Sequence, residues 1–177
     1  MRIISGTLKG RRFSPPKSFS ARPTTDIARE SLFNVLNNRV DFEDLHVLDL
    51  FGGTGSISYE FASRGCTDVT TVELNYKHFS FIKAMLKEFD LEQEVKVIKA
   101  DAFKYMKKCG LKYDLIFADP PFDLKEFETI PDKFFEQDLL KEKAVFILEH
   151  SDKKCFEEHP RFREVKKYGK VHFSFFA

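Results

Sequence analysis

The chain has no tryptophan and only three cysteines in 177 residues. The cysteines are odd in number and far apart, at positions 66, 109 and 155, which argues against a disulfide framework. The five histidines show no ligand spacing, so we expect no metal. No apolar run approaches the ~20 residues of a membrane span, and the first residues lack a secretory apolar segment. We therefore expect a cytoplasmic, monomeric protein with no membrane partner.

The net charge of +1 hides an uneven distribution of charge. Residues 1–22 contain no acid and six bases, namely Arg2, Lys9, Arg11, Arg12, Lys17 and Arg22. A basic segment on a nearly neutral chain suits a polyanion, although a solvated, disordered arm has the same composition. Residues 2–4 and 9–13 flank a turn at 5–7 and predict a β-hairpin. Because an isolated hairpin is marginal in water, it should dock on the main body or order on a ligand.

The three prolines at positions 15, 16 and 23 predict an extended linker over residues 14–23. We therefore divide the chain into a basic hairpin and linker, residues 1–23, and a main domain, residues 24–177. The main domain alternates predicted strands at 46–51, 69–73, 95–99, 113–118 and 144–149 with helices, including 25–37, 76–89 and 134–140. This order predicts an α/β fold with a parallel sheet covered on both faces. A tail hairpin, 162–168 and 170–176, adds an antiparallel pair at one edge.

A glycine turn follows the first strand, in the stretch Val47 to Gly55. Gly52, Gly53 and Gly55 leave room for a ligand to approach the backbone at the start of a helix. The dinucleotide fingerprint requires a third glycine where this chain has Ser58, which argues against a nicotinamide dehydrogenase. Asp49, before the turn, would repel a pyrophosphate and attract an ammonium or sulfonium. The pattern predicts a small cationic cofactor.

Two more acids end neighbouring strands. Glu73 ends the second predicted strand, where a carboxylate can accept both ribose hydroxyls of an adenosine. Asp101 follows the third strand and can accept a hydrogen bond from an adenine amino group. Acids at the carboxyl ends of three strands predict a common site with Asp49.

The segment Asp119-Pro120-Pro121-Phe122 follows the fourth predicted strand. The prolines lack amide N–H groups and stiffen the loop, so the carbonyl of Pro120 and the side chain of Asp119 are two acceptors aimed at one point. Two acceptors suit an NH₂ group and direct its lone pair outward toward an electrophile. Phe122 offers a face on which a planar base can stack.

These residues resemble a known family. Asp49 to Gly55, with Glu73 and Asp101, resembles the S-adenosylmethionine site of class I methyltransferases, and Asp119 to Phe122 resembles the [Asn/Asp]-Pro-Pro-[Tyr/Phe] motif of amino-group methyltransferases. The amino-terminal region, from Arg2-Ile3-Ile4-Ser5-Gly6 through Lys9-Gly10-Arg11-Arg12 to Arg22-Pro23-Thr24-Thr25-Asp26, is similar to that of the bacterial RsmD family. Gly52 stands where that family usually has alanine, and Ile27 where it often has a base.

The resemblance implies a Rossmann-like, seven-stranded, mostly parallel sheet with an antiparallel last strand, preceded by a β-hairpin extension. It implies methyl transfer to guanine N2 of 16S ribosomal RNA, within an assembling small subunit. Asp119, Pro120, Pro121 and Phe122 would hold the base, and the RNA would contact Arg2, Lys9, Arg11, Arg12 and Arg22. The cofactor would contact Asp49, Phe51, Gly52, Gly53, Gly55, Glu73, Leu74, Asp101, Ala102 and Asp119.

Three alternatives remain open from the residues. Methylation of adenine N6 in DNA or of a protein glutamine uses similar loops, although DNA enzymes usually add a recognition domain. A non-catalytic RNA-binding module would keep the fold without the cofactor.

Overall fold

The computed structural model describes residues 1–19, 24–125 and 127–177. The described chain forms one sheet of seven strands with helices against its faces. The strands are β1 (His46–Leu50), β2 (Asp68–Glu73), β3 (Val95–Lys99), β4 (Tyr113–Ala118), β5 (Leu140–Ser151), β6 (Phe162–Tyr168) and β7 (Val171–Phe176). The helices are α1 (Asp26–Asn37), α2 (Ser56–Ser63), α3 (Tyr76–Glu88), α4 (Ala102–Lys108) and α5 (Ile130–Phe135), with a 3₁₀ turn at Phe127–Thr129.

The strand order is β3-β2-β1-β4-β5-β7-β6. Strands β1 to β5 pair in parallel, whereas β7 is antiparallel to both β5 and β6. The predicted parallel sheet with an antiparallel last strand is therefore confirmed. The order reverses direction between β1 and β4, and a ligand cleft is expected at the carboxyl ends of the strands on either side of such a point.

Apolar side chains cover both faces of the sheet, as the continuous apolar strands predict. One cluster packs α1, α2 and α3 against the sheet through Leu32, Phe61 and Ile82. The other packs α4, α5 and the tail through residues such as Phe134, Phe146 and Phe176, and the rings of Phe134 and Phe146 stack at 4.0 Å. Phenylalanine, the chain's dominant aromatic residue, is thus mainly a core residue here.

One helix was predicted in the wrong place. The prediction put it at residues 134–140, but α5 spans Ile130–Phe135 and β5 already begins at Leu140. Proline stands near the first position of α5, where its missing N–H costs nothing and its fixed φ favours the helix. Leu140 instead pairs with Tyr113 across the sheet, a tertiary contact that the apolar spacing of residues 134–140 did not indicate.

The basic segment docks on the main body. Its two arms meet in an antiparallel bridge between Arg2 and Arg12, shorter than the predicted hairpin strands. Ile3 and Phe13 are buried, and the Phe13 ring packs edge-on against Tyr59 and Phe89. We call residues 1–13 the head.

The head is fastened by hydrogen bonds to α2. The amide of Ile4 donates to Glu60 Oε1 at 2.5 Å, and the amide of Thr7 donates to the carbonyl of Ser63 at 2.7 Å. Gly6 has a φ of +83°, and a Cβ there would lie 1.7 Å from the carbonyl oxygen of Ser63. Only glycine allows the two backbones to approach this closely.

A buried ion pair lies beneath this contact. The Arg29 side chain is fully buried; it donates to the carbonyl of Arg2 at 2.5 Å and to Asp26 at 2.9 Å. Its Nε lies 3.5 Å from Oε1 of the equally buried Glu60, whose Oε2 lies 3.3 Å from Nε of Arg64. Burial raises the pKa of Glu60, while the Ile4 amide and the two guanidinium groups oppose that shift. The main body therefore supplies charged partners to the head's backbone.

Candidate active site

A cleft of about 800 Å³ opens at the carboxyl ends of β1, β2 and β4. The register pairs Leu50 of β1 with Ala118 of β4, so the glycine turn and the Asp119 loop leave the sheet side by side. Most of the predicted site residues line this cleft: Asp49, Phe51, Gly52, Gly53, Glu73, Leu74, Asp101, Ala102, Asp119, Pro120, Pro121 and Phe122. The two loops on which the sequence interpretation depends therefore face one space.

Gly55 is not in the cleft wall. It precedes α2 with a φ of +80°, and a Cβ there would lie 2.3 Å from the Tyr59 hydroxyl oxygen. Gly52 differs from the alanine usual in the resembled family, and a Cβ there would lie 2.4 Å from Cγ2 of Thr71. The threonine on β2 thus fills the space that an alanine methyl group would need. Phe51 adopts a φ of 65°, in the left-handed region that non-glycine residues seldom occupy.

Asp49 lies at the base of the cleft and is only 2% exposed. The Ser58 hydroxyl donates to its Oδ2 at 2.6 Å and also contacts the Thr71 hydroxyl. Burial raises the pKa of Asp49 to about 7, and the charge of Glu73 adds to the shift while the Ser58 bond opposes it. Ser58, which replaces the third glycine of the dinucleotide fingerprint, therefore holds this carboxylate in position.

Glu73 and Asp101 line the same cleft and also fix the local backbone. Glu73 Oε2 accepts from the amide of Gly53 at 2.8 Å, and its Oε1 accepts from Asn75 at 2.6 Å. Asp101 caps α4 by accepting from the amide of Lys104 at 2.9 Å. Each carboxylate oxygen has a second lone pair, so both side chains can still accept a ligand's hydrogens.

The Asp119 loop forms the opposite wall. The amide of Leu124 donates to the carbonyl of Pro121 at 2.9 Å, which closes the turn. No donor among residues 1–19, 24–125 and 127–177 bonds the carbonyl of Pro120. Phe122 is 48% exposed and lines the cleft, so part of this residue is accessible to a ligand. Asp119 and Pro120 can therefore present two acceptors to one ligand group, beside an aromatic surface.

Sequence reasoning missed two residues beside this wall. Thr24 lines the cleft, and its hydroxyl donates to Glu149 Oε2 at 2.7 Å. Glu149 is 2% exposed near the end of β5, beside the Asp119 loop. Burial, followed by the charges of Glu149 and Asp49, raises the pKa of Asp119. A carboxylate within an otherwise apolar strand was the available signal for Glu149, as it was for Asp49.

His78 is a third cleft residue that the sequence did not single out. It lies in the first turn of α3, with Nδ1 at 3.9 Å from Glu73 Oε2, and its ring centroid lies 4.2 Å from that of Phe19, with the two rings tilted. In the described ranges, no cluster of three His, Cys, Asp or Glu side chains could hold a metal ion, and no helix is long and apolar enough to cross a membrane.

The basic residues of the head differ in their surroundings. Arg2 lies 3.7 Å from Asp26, and Arg11 donates to the carbonyl of Glu88 at 3.0 Å with its guanidinium over the Phe89 ring. Lys9 and Arg12 are exposed. The predicted contact Arg22 lies outside the described residues.

The tip of the head, around residues 7–11, lies away from the cleft. Helices α2 and α3 run back along the strands they follow, so their carboxyl ends lie toward the amino ends of those strands. Those ends carry Ser63 and Glu88, which contact Thr7 and Arg11. The base of the head is nearer the cleft, since Arg2 contacts Asp26, two residues beyond Thr24.

Known proteins share both the sequence and the fold. The family model described as conserved hypothetical protein 95 matches residues 1–177. Ribosomal RNA small subunit methyltransferase D of Buchnera aphidicola subsp. Baizongia pistaciae is 31% identical, over 99% of this chain and 91% of its own. The putative rRNA methyltransferase YlbH of Bacillus subtilis is 31% identical, over 85% and 82%.

A solved structure, the putative methyltransferase yhhF from Escherichia coli, has a TM-score of 0.83 and 26% identity, covering 99% of this chain and 96% of that one. With a family model that spans residues 1–177 and a relative above 30% identity over nearly the same length, this chain belongs to the RsmD family.

Proposed function

We propose that this protein uses S-adenosylmethionine to methylate the exocyclic N2 of a guanine in small-subunit ribosomal RNA. One observation carries the proposal: the carboxylates suited to the cofactor and the Asp119–Pro120 pair of acceptors line one cleft. A methyl donor in one half and an amine in the other would be held within reach of each other. Family membership supports the same reaction.

The residues of the cleft fit the cofactor's charge and shape. No lysine or arginine among the described residues pairs with Asp49, Glu73 or Asp119, so these acids have room for a cationic ligand. Asp49 would attract the positive charge, Glu73 would accept from the ribose and Asp101 from the adenine amino group. Phe51, Leu74 and Ala102 would pack against the adenine of the cofactor. When bound, the cofactor supplies an electrophilic methyl carbon.

The opposite wall would hold the amine. Asp119 and the carbonyl of Pro120 would each accept one hydrogen bond from the N2 amino group. Together they would direct its lone pair at the methyl carbon. Alignment of this kind can contribute ~7–11 kcal/mol. Because guanine N2 is buried in a paired helix, the base must be splayed out, and the exposed ring of Phe122 would stack on it.

The direct test is transfer of tritiated methyl groups onto unmodified ribosomal RNA and onto partly assembled small subunits, followed by nucleoside analysis. We expect labelled N2-methylguanosine. Labelled N6-methyladenosine would contradict the proposed base, and label in protein would contradict the proposed substrate class. A cofactor titration by calorimetry should show saturable binding, and its absence would favour a non-catalytic RNA-binding module.

The head is proposed to bind RNA phosphates, and Arg12 is its most informative residue because Arg11 is engaged by α3. We expect Arg12→Glu to weaken RNA binding about tenfold and reduce the slope of log affinity against log salt by about one. Cofactor affinity, measured by calorimetry, should not change.

Lys96→Glu, a charge reversal on the edge strand β3, serves as the control for net charge. Equal losses in the two variants would mean that RNA responds to overall charge rather than to the head.

Asp49 gives a prediction in which stability and binding move in opposite directions. Its pKa is raised from 3.8 to about 7, so the folded protein binds a proton more tightly than the unfolded chain, and this carboxylate costs stability as the pH rises from about 4 through 7. Asp49→Asn should therefore stabilise the ligand-free protein at pH 8 by on the order of 1–3 kcal/mol, measured by denaturant unfolding.

The same variant should bind the cofactor about ten to a hundred times more weakly, because a charge-assisted contact is lost. At pH 4 its stability should match that of the unaltered protein. Weaker binding without a gain in stability at pH 8 would contradict the assigned protonation of Asp49.

A further inference from the structure

The carboxyl of Glu149 has no assigned part in the reaction, although it is buried behind the wall that would hold the amine. The register pairs Ala118, the last residue of β4, with Leu148 of β5, so Asp119 and Glu149 are the next residues after a parallel pair. The one hydrogen bond to its carboxylate among the described residues comes from Thr24, which itself lines the cleft. A buried carboxyl with a single neutral donor is poorly compensated if it is fully ionised.

We propose that Glu149 is a positioning residue: its carboxyl and that of Asp119 share one proton, so Glu149 decides the charge on the oxygen that holds the target amine. The inference rests on the proposed function, because it assigns a partner to the residue proposed there to hold the amine. Two neighbouring carboxyl groups in an apolar setting resist losing both protons. When Glu149 is ionised, its charge keeps the shared proton on Asp119. When the proton lies on Glu149 instead, Asp119 is ionised and accepts from the amine more strongly than a neutral acid does.

The raised pKa values of both side chains agree with a shared proton. Burial raises the pKa of Glu149 to about 7, opposed by the Thr24 bond, and the charge of Glu149 raises the pKa of Asp119 after burial itself. The other titratable groups around the cleft are Asp49 on β1, Glu73 at the end of β2, His78 in the first turn of α3, Asp101 before α4 and Asp123 after Phe122. They remain unchanged in the variants described below.

The proton balance of the reaction follows from this arrangement. As the bond from guanine N2 to the methyl carbon forms, the bond from that carbon to sulfur breaks and its electron pair stays on sulfur. The methylated nitrogen then carries a positive charge and gives one proton to the ionised oxygen of Asp119. The pair now holds two protons, one on Asp119 and one on Glu149, and releases one to solvent when the product leaves.

The test measures the single-turnover rate of methyl transfer between about pH 5 and 9 at saturating cofactor. The rate should fall at low pH as Asp119 becomes protonated, and we call this fall the acid limb of the pH profile. Glu149→Gln keeps an acceptor for Thr24 but removes the negative charge, so the acid limb should move down by about one pH unit. Below the original limb the variant should be up to about tenfold faster than the unaltered protein, a gain that damage to the fold would not produce.

Glu142→Gln, at an exposed position of the same strand, is the matched control and should reproduce the original profile. Thr24→Val should move the limb in the same direction by a smaller amount, because Glu149 then holds the shared proton more tightly. This variant decides the matter if Glu149→Gln does not fold, as judged by thermal melting.

An acid limb that stays in place in both variants, or rates lowered equally at every pH, would overturn the inference and leave Glu149 as a structural residue. Failure of the proposed function is a separate result. If the unaltered protein methylates another amine, or no RNA at all, the proposed substrate is wrong. The acid limb can still be measured with whichever amine accepts the label.

Discussion

Replacing Asp119 by alanine is expected to reduce methyl transfer about 100- to 1,000-fold, the size of effect seen when one fixed polar group at a reacting centre is removed. The carbonyl of Pro120 would remain as a single acceptor, so the amine could rotate and its lone pair would no longer point at the methyl carbon. Single-turnover transfer to ribosomal RNA measures the loss.

Cofactor binding should survive in Asp119→Ala, because Asp49, Glu73 and the glycine turn stay in place. Asp44→Ala removes an exposed carboxylate elsewhere on the surface and should retain full activity. Loss of both transfer and cofactor binding in Asp119→Ala would point to misfolding or to a different role for this loop. Asp119→Asn should be intermediate. One acceptor oxygen remains in the same place but the negative charge is lost, so transfer should be slower than in the unaltered protein and should no longer fall at low pH.

Replacing Arg29 by methionine should destabilise the protein by about 3 kcal/mol, the lower end for breaking a buried ion pair, since Arg64 still contacts Glu60. For a chain of this length the melting temperature would fall by roughly 6–12 °C. Methionine fills a similar space, so the loss would come mainly from the carboxylate of Glu60, which keeps only Arg64 as a charged partner, and from the carbonyl of Arg2, which loses its donor.

Limited proteolysis should also cut the head of Arg29→Met sooner, because the first arm of the head is bonded to both members of this buried pair. The matched control is Arg39→Met, which removes an exposed partner of Glu164 and should cost less than about 1 kcal/mol. Combining Arg29→Met with Glu60→Leu should recover part of the stability, since both charges are then gone. A double variant as unstable as the single one would contradict the ion-pair explanation.

The sheet was accessible from the sequence because its central strands are apolar runs that end in recognisable turns. Each of these strands carries its signal locally, and the cleft follows from the rule that ligands bind at the carboxyl ends of parallel strands. The position of α5 was not accessible, because residues 134–140 have the same apolar spacing whether they coil or pair with β4. A proline at the start of α5 was the better guide.

The contact between Thr24 and Glu149 joins distant parts of the chain. Thr24 and Glu149 are 125 residues apart, and neither has a neighbouring motif that would bring them together. Asp49 could be recognised as a site residue because a glycine turn follows it. Glu149 is followed by His150, which belongs to no recognisable motif. The docking of the head similarly depends on Glu60 and Arg29, whose burial no local pattern of charge could indicate.

The separation between the tip of the head and the cleft has a consequence for what the protein can grip. The two lie toward opposite ends of α3, whose 13 residues span ~20 Å. A ligand that contacts both Lys9 and Phe122 must therefore be wide enough to span the two sites. A lone nucleotide or a short oligomer would reach only one of them, so a bulky, prefolded polymer would be preferred over any fragment cut from it.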